Sequence, residues 1–406
     1  MNRFRGKYRK LARIHQIENK RGIPINVRDE YFMDVALQLG ERGRGGVEPN
    51  PVVGAVIVKN DRIIGEGWHQ HYGQAHAEIM ALNDVVNRGI DSCSGSTLYV
   101  TLEPCCHYGK TPPCTDAIIQ ARIERVVVAI KDPFPQVAGK GIAKLLAHSI
   151  LVDVGVCAEK AKRQNAPFFK RVTQKKTYVH AKWAMSLDGK IATSSGNSQW
   201  ISSPDSREMV HQLREKMDAI LVGAVTLITD DPLLTPRPKS PKFPNKKLAR
   251  FVLTSGNRPL PINCKLMQTL DQGSVYFIVP KGNSIAEREI IQSKGGQILE
   301  IPSNNTGGVE IPILLRELAQ LGITNLMVEG GAEVLGSFHD ARSIDECHIF
   351  IAPKIIGGRQ AYPAIGGVGN AFVSQSAVLE DSTFQRLEND IYCHGYLKFN
   401  SEKDSV

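Results

Sequence analysis

The chain has 406 residues, 42% of them hydrophobic and 22% charged, with a formal net charge of +9. This composition can fill two or three hydrophobic cores and excludes a disordered chain, while the lack of any run of 18 apolar residues excludes a transmembrane helix. The start lacks the apolar stretch of a secretory signal, and five of the eight cysteines are scattered, as reduced thiols rather than a disulfide framework would be; a cytoplasmic protein is expected.

Much of the positive charge lies at the start, where residues 1–21 hold eight Lys and Arg against Glu18. Residues 1–28 therefore read as a basic, solvated extension. Nucleic-acid contact is the weaker reading. The segment is poor in serine, but its charge also suits organelle targeting.

Residues 29–40 carry Tyr31, Phe32, Val35, Ala36 and Leu39 at helical spacing, with Asp29 as N-cap and Gly40 as stop. A glycine-rich loop follows. Two apolar runs joined at Asn60-Asp61 predict a hairpin. A helix then starts at His76, and the strand GSTLYVTL ends at the loop containing Cys105, Cys106 and Cys114. Helix and strand alternate to about residue 160, which predicts a three-layer α/β domain over 29–160. Residues 161–175 read as a charged helix running into a linker. A second α/β domain is expected over 176–401. Its elements are a strand into a turn at Asp188-Gly189, a helix over 206–217, a buried strand ending at Gly223, a Lys/Pro-rich loop over 230–249, an amphipathic helix over 311–322, and a strand ending at Gly330-Gly331. An edge-like strand pair closes it, and helices are expected on both sheet faces.

The chemistry-bearing stretch is residues 76–114. His76, Cys105 and Cys114 can hold one zinc ion and leave a fourth position for water; Cys106 could ligate instead of its neighbour, and the rival is a closed site with His107 or Cys106 as fourth ligand. Glu78 follows the histidine by two residues and can carry protons. This is equipment for hydrolytic deamination of a ring amidine. Asn50, between two prolines, is suited to orient a ring carbonyl or ribose, or is simply a turn residue. In the second domain no GxGxxG follows the first strand, so a Rossmann domain is not expected. Gly223 and Gly330-Gly331 at strand ends suit a phosphate-bearing ligand. The Asp230-Asp231-Pro232 run also reads as a helix cap or turn, and Arg214 equally as a surface charge.

NPVVGAVIV, HAE and TLEPCCHYGKTPPC together resemble the cytidine/deoxycytidylate deaminase superfamily, and within it the pyrimidine deaminases of riboflavin biosynthesis. KWAMSLDGKIA, SQWIS, LREKMDAILVGAVTLITDDPLLTPR and MVEGGAEVLGSF resemble the reductase domain of the same bifunctional family. The resemblance implies a cytidine-deaminase-like fold followed by a dihydrofolate-reductase-like fold, with zinc and NADPH as cofactors. It implies His107, Lys110 and Thr111 in the deaminase substrate pocket. It implies cofactor contacts at Ala184, Trp200, Thr226, Asp230, Glu329, Gly330 and Gly331, and substrate contacts at Ser198, Arg214, Leu234 and Arg237, with Asp230 assisting proton transfer. Phosphorylated small molecules are the implied partners, and a homo-oligomer the implied assembly. Departures from the family are Cys106, where serine is usual, and the Lys/Pro-rich loop after Arg237. The rival readings are a chain with one active half, a tRNA-type base deaminase, and a zinc-stabilised scaffold without activity.

Overall fold

The computed structural model describes residues 27–108, 112–135, 137–283 and 285–400, together with Ile17–Glu18 and Pro24–Ile25. The basic extension expected over 1–28 therefore lies almost wholly outside the described residues, as do Lys110 and Thr111. The chain divides into two compact units, Met1–Gln174 and Lys175–Val406. No helix of the described residues is long and apolar enough to cross a membrane.

In unit 1, helix α1 (Val27–Glu41) precedes the hairpin β1 (Gly54–Lys59) and β2 (Arg62–Trp68). Its turn residues Asn60 and Asp61 both have positive φ, 48° and 61°, the conformation a two-residue hairpin turn requires. Then come α2 (Ala77–Asn87), β3 (Thr97–Val100), α3 (Cys114–Gln120), β4 (Arg125–Val128), α4 (Lys140–Ala147) and β5 (Leu151–Val154). The sheet order is β2-β1-β3-β4-β5. Its β3, β4 and β5 are parallel, and β1 is antiparallel to both neighbours. Strand alternation feeds two cores. Ala55, Ile57, Leu98, Val100, Val126 and Val128 meet α2, α3 and α4 on one face. Val56, Val58, Tyr99 and Val127 meet Phe32, Met33, Ala36 and Leu37 of α1 on the other. Glycines set how closely the helices approach. A Cβ at Gly54 would run into the Ala36 carbonyl, and one at Gly67 into the Ala77 carbonyl.

Two expectations for unit 1 are corrected. Asp29 does not cap its helix. It is buried in the first turn, where its carboxylate accepts hydrogen bonds from Tyr99 Oη (2.7 Å) and from both terminal nitrogens of Arg125 (3.0 and 2.8 Å). A cap contributes about 1 kcal/mol, whereas each buried large side chain of the α1 stripe contributes about 1.5–3 kcal/mol, so packing sets the helix start. The expected linker over 161–175 is instead the end of α5 (Ala158–Gln164) and all of α6 (Ala166–Gln174). The Asn165 side chain ties them to unit 1, accepting from Val52 N at 2.9 Å and donating to Val52 O at 3.0 Å. Gln164 also donates to Leu37 O at 2.8 Å.

Unit 2 runs β6 (Tyr178–Ser186), β7 (Lys190–Ala192), α7 (Pro204–Glu215), β8 (Ala219–Gly223), α8 (Ala224–Asp230), β9 (Ala249–Leu253), α9 (Lys265–Gln268), β10 (Val275–Pro280), α10 (Arg288–Ser293) and β11 (Gln297–Ile301). It continues with α11 (Ile311–Gln320), β12 (Asn325–Val328), α12 (Ala332–Asp340), β13 (Glu346–Ala352), β14 (Tyr362–Pro363), β15 (Val378–Leu387) and β16 (Asp390–Lys398). Nine strands form one sheet in the order β11-β10-β9-β8-β12-β6-β13-β16-β15. It is parallel from β11 to β13, and β16 and β15 add antiparallel at the edge. Val179, Ala181 and Trp183 of β6 pack on one face with α11 and α12. Ala184 packs on the other face with Val210 and Leu213 of α7. Ser203 caps α7 by accepting from Ser206 N at 3.2 Å.

Candidate active sites

In unit 1 the metal donors converge because three elements begin or end at one point. His76 is the N-cap of α2, Cys105 follows β3, and Cys114 opens α3. His76 Nδ1 stands 3.5 Å from Cys105 Sγ and 3.3 Å from Cys114 Sγ. The three donor atoms lie within 4.8 Å of one another, the spacing of ligands about 2.0–2.3 Å from a shared tetrahedral ion. Cys114 N donates to Cys105 Sγ at 3.3 Å. Hydrogen bonds from the Cys114 thiol, then from His76 and the Cys114 amide, draw the Cys105 thiol down to about 4, against the opposing effect of burial. Two soft thiolate donors and one imidazole are a zinc set. Cys106 and His107 are not part of this cluster.

Glu78 is 4% exposed, and burial raises its carboxyl to about 6. It sits against the Cys114 thiol. A proton carrier is thus held in a dry position beside the donor set. Asn50 is half-buried and its Nδ2 lies 3.3 Å from His69 Nε2. His69 was not singled out from the sequence. Its ring is buried, lies 5.4 Å from the His76 ring, and its Nδ1 is 3.1 Å from Ala75 O. Only an Nδ1–H can bond to that carbonyl, so neutral His69 leaves Nε2 to accept from the Asn50 amide. Burial lowers the His69 pKa and favours that neutral form. His107 Nδ1 is buried without a hydrogen-bond partner among the described residues.

Glu103 is another residue that sequence reasoning passed over. Its buried carboxylate accepts from the backbone N–H of Asp132, Gly139, Gly141 and Ile142, at 2.9–3.3 Å. It caps α4 and anchors the loop immediately before Cys105.

In unit 2, Gly223 ends β8, and Gly330 lies two residues beyond the neighbouring strand β12. The register Leu221–Val328 places them level, at the carboxyl ends of parallel strands, where ligands bind open α/β sheets. A cleft of about 1120 Å³ opens there. Its lining includes Ala184, Ser198, Trp200, Arg214, Thr226, Asp230, Leu234, Arg237, Glu329, Gly330 and Gly331, so every expected reductase residue reaches one place. The N-terminus of α12, capped by Gly331, faces the cleft, where its free N–H groups suit an anionic ligand.

Arg214 is no surface charge. Its side chain is 12% exposed and binds Glu329 through Nε (2.6 Å) and Nη2 (3.0 Å). Lys182 Nζ adds a contact to Glu329 at 3.4 Å. Burial alone would raise the Glu329 carboxyl, but these two cations outweigh it and hold it at about 2. The carboxylate is therefore engaged by protein cations, and Glu329 positions Arg214 and Lys182. Arg237 Nη1 donates to Thr235 Oγ1 at 2.5 Å. Leu234, which also lines the cleft, has a left-handed φ of 52° and is buried in the core. Arg207 stacks over Trp200 at 4.5 Å. One further residue of the cleft was missed. His211 lines the cleft, and burial followed by Arg214 and Arg237 lowers it to about 4, which keeps it neutral. The Lys/Pro-rich loop is tied to α7, with Lys239 N donating to Glu208 and Phe243 N to Glu215.

Known proteins bear on both sites. Residues 26–130 match the cytidine and deoxycytidylate deaminase zinc-binding region, and residues 177–393 match the RibD C-terminal domain. The chain is 41% identical over 363 residues to riboflavin biosynthesis protein RibD of Aquifex aeolicus, covering 89% of this chain and 97% of that one. It is 38% identical to the Bacillus amyloliquefaciens protein of that name, covering 93% and 99%. Among solved structures, RibD of Acinetobacter baumannii is similar at a TM-score of 0.79 and 34% identity, covering 91% of this chain and 99% of that one. The Thermotoga maritima diaminohydroxyphosphoribosylaminopyrimidine deaminase/5-amino-6-(5-phosphoribosylamino)uracil reductase is similar at a TM-score of 0.77 and 33% identity, with the same coverage. With a zinc-deaminase donor set in its first unit, a reductase cleft in its second and relatives matched along nearly their whole length, the chain belongs to the RibD family of bifunctional riboflavin-biosynthesis deaminase/reductases.

Proposed function

We propose that unit 1 deaminates 2,5-diamino-6-ribosylamino-4(3H)-pyrimidinone 5′-phosphate, and that unit 2 then reduces the ribosyl group of the product to ribityl. The observation that carries the reading is the convergence of His76, Cys105 and Cys114 with Glu78 buried beside them. Zinc held by those three residues supplies a Lewis acid that makes an attacking water more acidic. Glu78 takes the proton from that water, returns it to the ring nitrogen, and assists departure of ammonia. His69 holds the Asn50 amide, whose remaining polar edge orients the ring or ribose. His107 completes the substrate pocket.

In unit 2, NADPH supplies the hydride. Ala184, Trp200, Thr226, Gly330 and Gly331 form its seat. Arg214, held by Glu329, and Arg237 receive the 5′-phosphate, for which a planar guanidinium is well matched. Ser198 and Leu234 hold the sugar chain. Asp230 handles the proton that accompanies reduction at sugar C1. The assembly is a homo-oligomer joined through unit 2, where edge strand β15 leaves Phe384 69% exposed; light scattering measures its size.

The test is to give zinc-loaded protein the diaminopyrimidinone ribosyl phosphate and follow ammonia and NADPH separately. Ammonia release without NADPH, then NADPH oxidation once it is added, is expected. NADPH oxidation that precedes ammonia release overturns the order, and ammonia without any NADPH oxidation removes the role of unit 2.

A further inference from the structure

A second cluster of metal-type donors lies outside both sites. His180 is on β6, Glu346 and His348 on β13, and His394 on β16. The register pairs His180 with Glu346, and His348 with His394. All four side chains therefore share one face of the sheet. His180 Nδ1 is 3.4 Å from Glu346 Oε2 and 3.4 Å from His348 Nε2, and His348 Nε2 is 3.4 Å from Glu346 Oε1. The two nitrogens stand as ligand atoms about 2.0–2.1 Å from one tetrahedral ion do, roughly 3.3–3.4 Å apart, and one carboxylate oxygen lies within 4.8 Å of both. The side chains of His180, Glu346 and His348 are only 7%, 14% and 4% exposed, so this is not a solvated charge cluster.

The surroundings are those of a ligand set. A metal-bound histidine gives its other ring N–H to an oxygen, and a metal-bound carboxylate receives a hydrogen bond. His180 Nε2 faces Asn325 Oδ1 at 3.2 Å, and His348 Nδ1 faces the Tyr392 hydroxyl at 2.7 Å. His394 Nε2 lies 2.6 Å from Glu346 Oε1. With Nε2–H donating to Asn325 Oδ1, the Nδ1 of neutral His180 presents a lone pair to the carboxylate, and His348 Nε2 does the same in the tautomer whose Nδ1–H donates to the Tyr392 hydroxyl. In that tautomer three acceptors meet around one point, an arrangement that a bound cation relieves.

We propose that His180, His348 and Glu346 bind a divalent first-row transition-metal ion, with His394 donating to the carboxylate. Two imidazoles and one carboxylate favour zinc, iron, cobalt or nickel over magnesium or calcium. The site bridges β6 and β13. Lys182, the cation that meets Glu329, is the register partner of His348. The ion therefore fixes the strands under the reductase cleft and acts on unit 2.

The test uses the full chain carrying Cys105→Ser and Cys114→Ser, which removes the deaminase donor set and leaves the cluster intact. After chelation and reloading with Co²⁺, this chain is expected to retain one equivalent of metal. The visible d–d bands of four-coordinate Co²⁺ should appear without the sulfur charge-transfer bands, and Zn²⁺ should raise the melting temperature. Adding His348→Asn or Glu346→Gln should abolish that uptake. The proposal is overturned if the double-serine chain takes up no Co²⁺ and its melting temperature is unmoved by Zn²⁺. It is equally overturned if metal is bound but survives both cluster substitutions. The first arm needs no change within the cluster, so misfolding of a cluster variant does not blur the result.

Discussion

Arg214 of α7 and Glu329 at the end of β12 are joined by two hydrogen bonds of 2.6 and 3.0 Å, although 115 residues separate them. Lys182 of β6 meets the same carboxylate at 3.4 Å. One buried anion thus sets the position of two cations at the floor of the reductase cleft. Removing it leaves both buried without a counter-ion.

Glu329→Gln keeps the shape and removes the charge. Breaking one side of a buried pair costs about 3–5 kcal/mol, and a loss of that order is expected for unit 2. With Arg214 no longer held, KM for the deaminated substrate should rise in the NADPH assay, while ammonia release is unaltered. Thermal unfolding and the two separate assays check this. An unchanged melting temperature with an unchanged KM would count against the positioning role.

Acid should act through the same residue. Glu329 is held at about 2 against an ordinary 4.5. Its contribution to stability is complete above about 4.5 and disappears as the pH falls toward 2. Unit 2 should therefore lose stability across that window in the native chain. In Glu329→Gln the loss there should be smaller. Denaturant titrations at several pH values measure the difference.

What was legible in the sequence was the chemistry carried by short strings. His76, Glu78, Cys105 and Cys114 needed only residue type and spacing, and the structure brings the three donors together. Strand and helix order was legible for the same reason, because alternation and helical periodicity are local. Partnerships made by folding were not legible. Nothing near Arg214 in sequence announces Glu329. His69 gains its place from the His76 ring, the Ala75 carbonyl and Asn50. Glu103 reads as a strand-end residue until α4 arrives to be capped. The stretch 161–175 looked like a linker because its charges hide what Asn165 does to Val52.

Glu78→Gln tests the proton carrier. The amide keeps the volume of the buried side chain but cannot accept a proton. Ammonia release should fall by at least about 10²–10⁴-fold. Zinc content should stay at the native level, and NADPH oxidation with already deaminated substrate should be unchanged. Activity within tenfold of native would assign the proton transfer to another group.

Loss of the deaminase ion should separate the two halves. Removing metal from His76, Cys105 and Cys114 is expected to abolish ammonia release, and added Zn²⁺ to restore it. NADPH oxidation on deaminated substrate should survive loss of the deaminase ion. Repeating the assay in the Cys105→Ser, Cys114→Ser chain gives the same separation without a chelator. Ammonia release that persists in metal-free protein would contradict the zinc mechanism.

Gly141→Ala tests whether the loop before Cys105 is set by close packing. A Cβ at Gly141 would run into the Pro104 carbonyl, and Pro104 is the residue before the zinc ligand. Backbone must shift to admit it, at a cost of about 1–3 kcal/mol. Zinc affinity and ammonia release should fall together, and excess Zn²⁺ should recover part of the activity. Gly139→Ala is the matched control. Its φ of 80° makes the substitution strained, at roughly 1–2 kcal/mol, but a Cβ there meets nothing within 4 Å. It should lower the melting temperature of unit 1 and leave zinc affinity near native. If both variants bind zinc as the native chain does, Pro104 does not depend on Gly141 for its place; if both lose zinc equally, stability of α4 and not the contact with Pro104 holds the ligand loop.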